Sequence, residues 1–266
     1  FPAGTFDGEI VVCDRGQIAR VAKAENVAAG GAGGFVLVNV APNFLAGDAF
    51  IVPGVHLAVE DGIALKSWMT NTVVQSATIQ GYTMSITDTN ADQINTSSSR
   101  GPNYVGSILK PDVTAPGTDI LAAVATNHES PAPNPEFDFY SGTSMASPHV
   151  AGVGLLIRAL HPDWTPAEIQ SALTSTADNS QTTTDGVESA PFEAGAGSVR
   201  ANNTAMAGLV LDETYENFAA ADPAAGGDPK ALNLATLADD ACVGNCEWSR
   251  TLKNALDVTA TWEIDV

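Results

Sequence analysis

Ser144 is the residue in this sequence whose setting best suits covalent chemistry. It stands in SGTSMASPHVAG, Ser141 to Gly152, where a glycine turn meets an apolar segment of helical spacing. A serine so placed has helix amides and the positive end of the helix dipole beside it, which favours an oxyanion forming there. Gly142 permits a sharp backbone approach, and the small Ala146, Ala151 and Gly152 let the helix lie close against a sheet or another helix. A serine hydroxyl alone is a weak nucleophile and needs a general base. Helix capping is the ordinary alternative for any serine in this place.

The four histidines offer no obvious base. His149 lies five positions beyond Ser144 on the same helical segment, His161 opens the following loop, His56 falls in the first part of the chain and His128 in an acidic, proline-rich stretch. Each reads as a packing or surface histidine. Asp112 and Asp119 flank an APG turn, Ala115 to Gly117, where turn capping is their expected role. No pair of histidines or cysteines has zinc spacing, because Cys242 and Cys246 lack a second pair. Those two can bridge if an intervening turn brings their Cα atoms within about 7 Å. Cys13 is then either a buried thiol or a residue whose partner lies outside the chain.

The elements around these residues follow from hydrophobic spacing. Glu9 to Cys13 and Gly34 to Val40 read as strands flanking a helix at Gln17 to Ala29, an α/β unit. Its glycines, Gly30, Gly31, Gly33 and Gly34, follow the helix rather than precede it, so they suit a helix C-terminus and a tight turn, not a phosphate loop. Ala77 to Ile79 reads as a strand and 88–102 as a polar loop; Ile120 to Val124 is a further apolar run. Pro131, Pro133 and Pro135 make 127–136 an exposed connection. Ser144 to Leu160 is apolar almost all round, which predicts a buried helix. Thr165, Pro166 and Glu168 fall at the cap, first and third positions of a capping box before Ile169 and Leu173. The Ala, Gly, Pro and Asp of 219–229 read as a linker, with strands expected at Leu232 to Leu237 and Trp248 to Val266.

Eleven basic against 31 acidic residues leave a net charge of −20 in 266 residues. That charge repels nucleic acid and anionic membranes, so neither is an expected partner. No run approaches the ~20 apolar residues of a membrane span. The chain opens without a methionine and without a charged-then-apolar export signal, and reads as a mature product or a piece of something longer.

Several motifs resemble those of known families. GTSMASPHVAG looks like the nucleophile motif of the subtilases, the subtilisin-like serine proteases. SSRGP (98–102), KPDVTAPG (110–117), HPDWTPAEI (161–169) and FEAGAGSV (192–199) follow in the order which that family shows. GEIVVCDRG (8–16), AKAENVAAGGAGGFVLVN (22–39) and the VPGVHL run from Val52 resemble the protease-associated domain, an insertion without catalytic residues. RTLKN (250–254) resembles the opening of the fibronectin type III-like domain of plant-type subtilases and their bacterial relatives.

The resemblance implies an α/β chain. It would hold an incomplete protease-associated domain (1–74), the C-terminal half of a subtilisin-like parallel-sheet domain (75–215), a linker (216–230) and the start of a fibronectin type III-like domain (231–266). It implies Ser144 as nucleophile of a secreted endopeptidase acting on protein or peptide, its own amide serving as one oxyanion donor, and His149 as a packing residue. The triad order Asp, His, Ser puts the partners upstream. No counterpart of the family's Asp and His motifs or oxyanion Asn precedes Ser144, so these are expected on a missing N-terminal part of the same protease domain, and the isolated chain is expected to be inactive. Calcium, held by carboxylates and loop carbonyls as in many subtilases, is compatible with the resemblance, though no contiguous ligand loop is present. The alternative is a non-catalytic binding module on a degenerate subtilase scaffold, against which the intact GTSMASPHVAG argues.

Overall fold

A computed structural model describes residues 1–43, 45–81, 91–104, 106–125, 136–183 and 186–263. Most of the proline-rich connection, with His128, lies outside the described residues, as do Asp88 to Asn90 of the polar loop and Ile264 of the expected final strand. Two compact units are formed. One comprises Phe1–Asn90, Asn95–Ser97 and Gly117–Met145, the other Ala91–Ile94, Ser98–Pro116 and Ala146–Val266.

The first unit is built on a three-stranded parallel sheet in the order β1-β2-β3: β1 is Ile10–Asp14, β2 Gly34–Val38 and β3 Gly54–Leu57. Val12 pairs with Val36, and Val36 with Val55, fixing the register. All five residues of the central strand, GFVLV, are buried, as an inner parallel strand covered on both faces requires. Helix α1, Arg20–Ala29, buries Ala24 and Val27 against Phe35 and Leu37. Burying each of those two large side chains contributes about 1.5–3 kcal/mol. Helix α2, Val59–Asn71, comes so close to β2 that a β-carbon at Gly62 would collide with the Val38 side chain. The expected strand, helix, strand order is present. Of the glycines after α1 only Gly31 needs left-handed backbone, at φ +100°, and a β-carbon there would strike the Phe6 carbonyl oxygen. The same unit holds the antiparallel pair of β4, Ile120–Ala123, and β5, Phe137–Tyr140. Ala77 to Ile79 is irregular rather than a strand, although Ile79 approaches Gly34.

The second unit gathers around Ile157, Trp164, Ala172, Ala207 and Val210. Ile157 comes from α3, Thr143–Leu160, Trp164 from the connection to α4, Ala172 from α4, Pro166–Ser175, and Ala207 and Val210 from the segment that follows α5, Pro191–Ala194, and α6, Ala201–Ala205. The capping box of α4 is complete. Thr165 Oγ1 accepts from the Glu168 amide at 3.1 Å, and Glu168 Oε2 accepts from the Thr165 amide at 2.8 Å.

Helix α3 is where the expected burial fails. Ile157 is 1% exposed, but Leu155, Leu156 and Leu160 are 71, 61 and 63% exposed. Helical periodicity reports which faces are apolar, not what covers them, and the described residues cover one narrow stripe. Pro148 lies inside this helix and has no N–H to give the Ser144 carbonyl four residues earlier.

The C-terminal expectations also change. Residues 219–229 are not featureless: α7, Tyr215–Ala220, is followed by 3₁₀ turns at Pro223–Ala225 and Pro229–Ala231, started by Asp222 and Asp228 side chains, and Ala221 and Leu232 are buried. Leu232 to Leu237 forms no strand. Of Trp248 to Glu263 only β7, Lys253–Asn254, is a strand, and it pairs with β6, Leu209–Val210. The reason is visible at Arg250, whose guanidinium donates to the carbonyls of Leu234, Lys230, Ser249 and Thr236, holding its neighbourhood as an irregular strap.

Candidate active site

Ser144 occupies the first turn of α3 with its side chain exposed, the place for an anion at a helix N-terminus. The turn before it is fastened to the APG turn. Gly142 donates its amide to the Gly117 carbonyl at 2.7 Å, and the Gly142 carbonyl accepts from Met145 at 2.9 Å. One residue earlier, the Ser141 hydroxyl accepts from the Asp119 amide at 2.8 Å and donates to Asp119 Oδ1 at 3.0 Å. Asp119 sits at φ +50°, a left-handed conformation Asp tolerates better than most residues. The role of Asp119 is therefore not confined to its own turn, because it holds the Ser141 side chain three residues ahead of Ser144. The pairing escapes sequence reasoning because 22 residues separate the partners.

His149 is exposed and five positions along α3, a rotation of about 140° and a rise of about 7.5 Å from Ser144. His161 stacks on Trp164 with ring centroids 4.0 Å apart and bonds the Ala205 carbonyl through Nε2 at 3.0 Å. The His56 ring is held by Ala46 and Asn39. Asp112 accepts from Lys110 at 2.5 Å and from Gln170 at 3.3 Å. Among the described histidines, His56 and His161 thus have structural partners, and the helix geometry keeps His149 from the Ser144 hydroxyl.

Cys242 and Cys246 form a disulfide, with Cα atoms 5.9 Å apart. Cys13 is a free, half-buried thiol; burial pushes it above its ordinary value, with Lys23 opposing. Asp239 lies close to the Cys242 and Cys246 sulfurs, all within 4.8 Å, but the sulfurs are bonded to each other and no longer available as a thiolate pair. No helix among the described residues is long and apolar enough to cross a membrane.

A model of the subtilase family matches residues 53–197, which include Ser144 and both turns that fasten it. The chain belongs to the subtilase family. A PA domain model matches residues 1–65, which contain the parallel sheet of the first unit. The chain is similar to subtilisin-like protease SBT5.4 of Arabidopsis thaliana, 38% identical over 79% of this chain and 29% of that protein. It is similar to SBT1.6 of the same plant, 35% identical over 88% of this chain and 33% of the relative, and to SBT1.4, 34% identical over 95% and 34%. This subtilase chain thus spans about a third of the length of these relatives. A likeness to a psychrophilic subtilisin-like protease, Apa1 of Pseudoalteromonas sp. AS-11, has 20% identity, a TM-score of 0.27, and covers 74% of this chain and 34% of that one; a score that low carries no argument.

Proposed function

We propose that Ser144 is the nucleophile of a secreted serine endopeptidase and that this chain is the serine-bearing portion of its catalytic domain with part of the inserted PA domain. The observation that carries the reading is the exposed Ser144 at the start of α3, on a fastened turn inside the segment that matches the subtilase model. In this reading Ser144 Oγ attacks the scissile carbonyl of a protein or peptide and a histidine base takes the hydroxyl proton. The tetrahedral oxyanion receives the Ser144 amide and one further donor, and water then releases the acyl group. The Asp, the His and the second oxyanion donor, an Asn, come from sequence upstream of Phe1. The Cys242–Cys246 bridge supports an oxidising, extracellular setting.

The test compares three proteins. The full-length protease is expected to hydrolyse casein and label with a fluorophosphonate; its Ser144→Ala variant loses both. The isolated 266-residue chain is expected to do neither, since loss of a triad base removes most of the catalysis. Undiminished cleavage by the Ser144→Ala protease refutes the assignment, and rapid stoichiometric labelling of the isolated chain refutes the need for an upstream base. An upstream coding sequence without Asp and His motifs favours the binding-module alternative.

A further inference from the structure

His56, on β3, has both ring nitrogens engaged, and its partners define its protonation. The Ala46 amide donates to Nδ1 at 3.0 Å. An amide N–H can only donate, so Nδ1 carries no proton, and Nε2–H donates to Asn39 Oδ1 at 2.9 Å. Asn39 is oriented in turn by its Nδ2, which donates to the Asn43 carbonyl at 3.0 Å, while Oδ1 also receives Arg15 at 3.3 Å. Two residues past Ala46, Asp48 accepts a pair of bonds from Arg20, at 2.5 and 2.9 Å. Between these two fastenings Gly47 lies beside Asp119, where an added β-carbon would stand 3.4 Å from the carboxylate oxygen Oδ1. Asp119 is the residue that holds Ser141.

We propose that His56 is a proton-operated latch: its neutral ring holds the Ala46 end of the segment that lies beside Asp119, and a proton taken up from solvent on Nδ1 frees that end while Arg20 keeps Asp48. Protonation replaces the acceptor of the Ala46 amide with a second donor, so two N–H groups face each other and the bond is lost. The new cation also meets positive charge. The charged groups acting on the ring are Arg15 from the β1–α1 connection, Arg20 at the start of α1 and Asp48 from the segment itself. Burial first, then the two arginines, hold His56 below its ordinary value, Asp48 being the one charge that opposes them. The latch therefore stays shut at neutral pH and opens on the acid side of the usual histidine range. It rests on the bonds of the ring and not on the proteolytic reading of Ser144.

Hydrogen exchange on the isolated chain tests the latch without any assay of catalysis. Amide protection of Ala46, corrected for intrinsic exchange, is compared at about pH 7.5 and about pH 5. The wild-type chain is expected to lose about tenfold protection at the lower pH, and His56→Gln to show the same protection at both. Equal wild-type protection at the two values, or an unchanged pH response in His56→Gln, overturns the proposal. Should that variant fail to fold, NMR titration of the wild-type chain decides: the Ala46 amide and the His56 ring must share one midpoint, and two separate midpoints refute the latch.

Discussion

Replacing Glu168 with alanine is expected to be among the more costly single changes in the second unit. This carboxylate is 2% exposed and serves two elements at once. Its Oε2 closes the capping box on the Thr165 amide, and its Oε1 accepts from Lys253 Nζ at 2.6 Å, tying α4 to β7. Loss of the cap costs about 1 kcal/mol. A charge-assisted bond to a buried acid would add about 1.5–3 kcal/mol, but Lys253 is 54% exposed, so water screens the pair and about 1–2 kcal/mol is the fitting share. Glu168→Ala is then worth about 2–3 kcal/mol, and Lys253→Ala somewhat less. With a urea slope of about 2–3 kcal/mol/M, the Glu168→Ala midpoint falls by roughly 1 M. Urea unfolding followed by the fluorescence of Trp164, buried beside Thr165, reads this directly. The double mutant isolates the pair, with a coupling of about 1–2 kcal/mol. A Glu168→Ala loss under about 0.5 kcal/mol, or a coupling of zero, would refute the reasoning.

Two further outcomes are expected. Burial works to raise the Glu213 carboxyl, but the Asn233 and Thr214 amides and the Asn217 side chain donate to it and outweigh burial, so it sits below its ordinary value. A depressed acid stabilises the fold fully above its unfolded value and loses that contribution as pH falls through the folded one. Urea midpoints should thus drop on acidification below about pH 4.5, less steeply in Glu213→Gln; parallel profiles for the two proteins would contradict this. In the first unit Gly31→Ala meets both a left-handed φ and the Phe6 carbonyl oxygen, so thermal melting should show a loss of about 2 kcal/mol or more, and an unchanged melting temperature would contradict the close approach.

The parts legible in the sequence are those whose physics is local. The apolar run from Gly34 announces a strand because it is short and lies just after a helix and its closing glycines, and Thr165, Pro166 and Glu168 announce a helix start because the bonds of a capping box span three residues. Ser144 at the start of α3 was legible for the same reason. The Asp119–Ser141 pairing was not, since two loops 22 residues apart must first be brought together. Nor was the irregular path around Arg250, where the alternation of Val258, Ala260 and Trp262 suggests a strand although a single guanidinium takes up four carbonyls. For α3 the extent was readable and the burial was not, because covering an apolar face is a property of its neighbours.

That apolar face sets how this polypeptide behaves as a colloid. Leu155, Leu156 and Leu160 offer a sticky ridge on a particle whose net charge is −20. At low ionic strength, mutual repulsion keeps the ridges of two molecules apart. Raising salt shortens the Debye length from about 30 Å at 0.01 M to about 3 Å at 1 M and removes that barrier while leaving the apolar attraction intact. Solubility of the isolated chain should therefore fall with added salt, the reverse of what its acidity alone suggests.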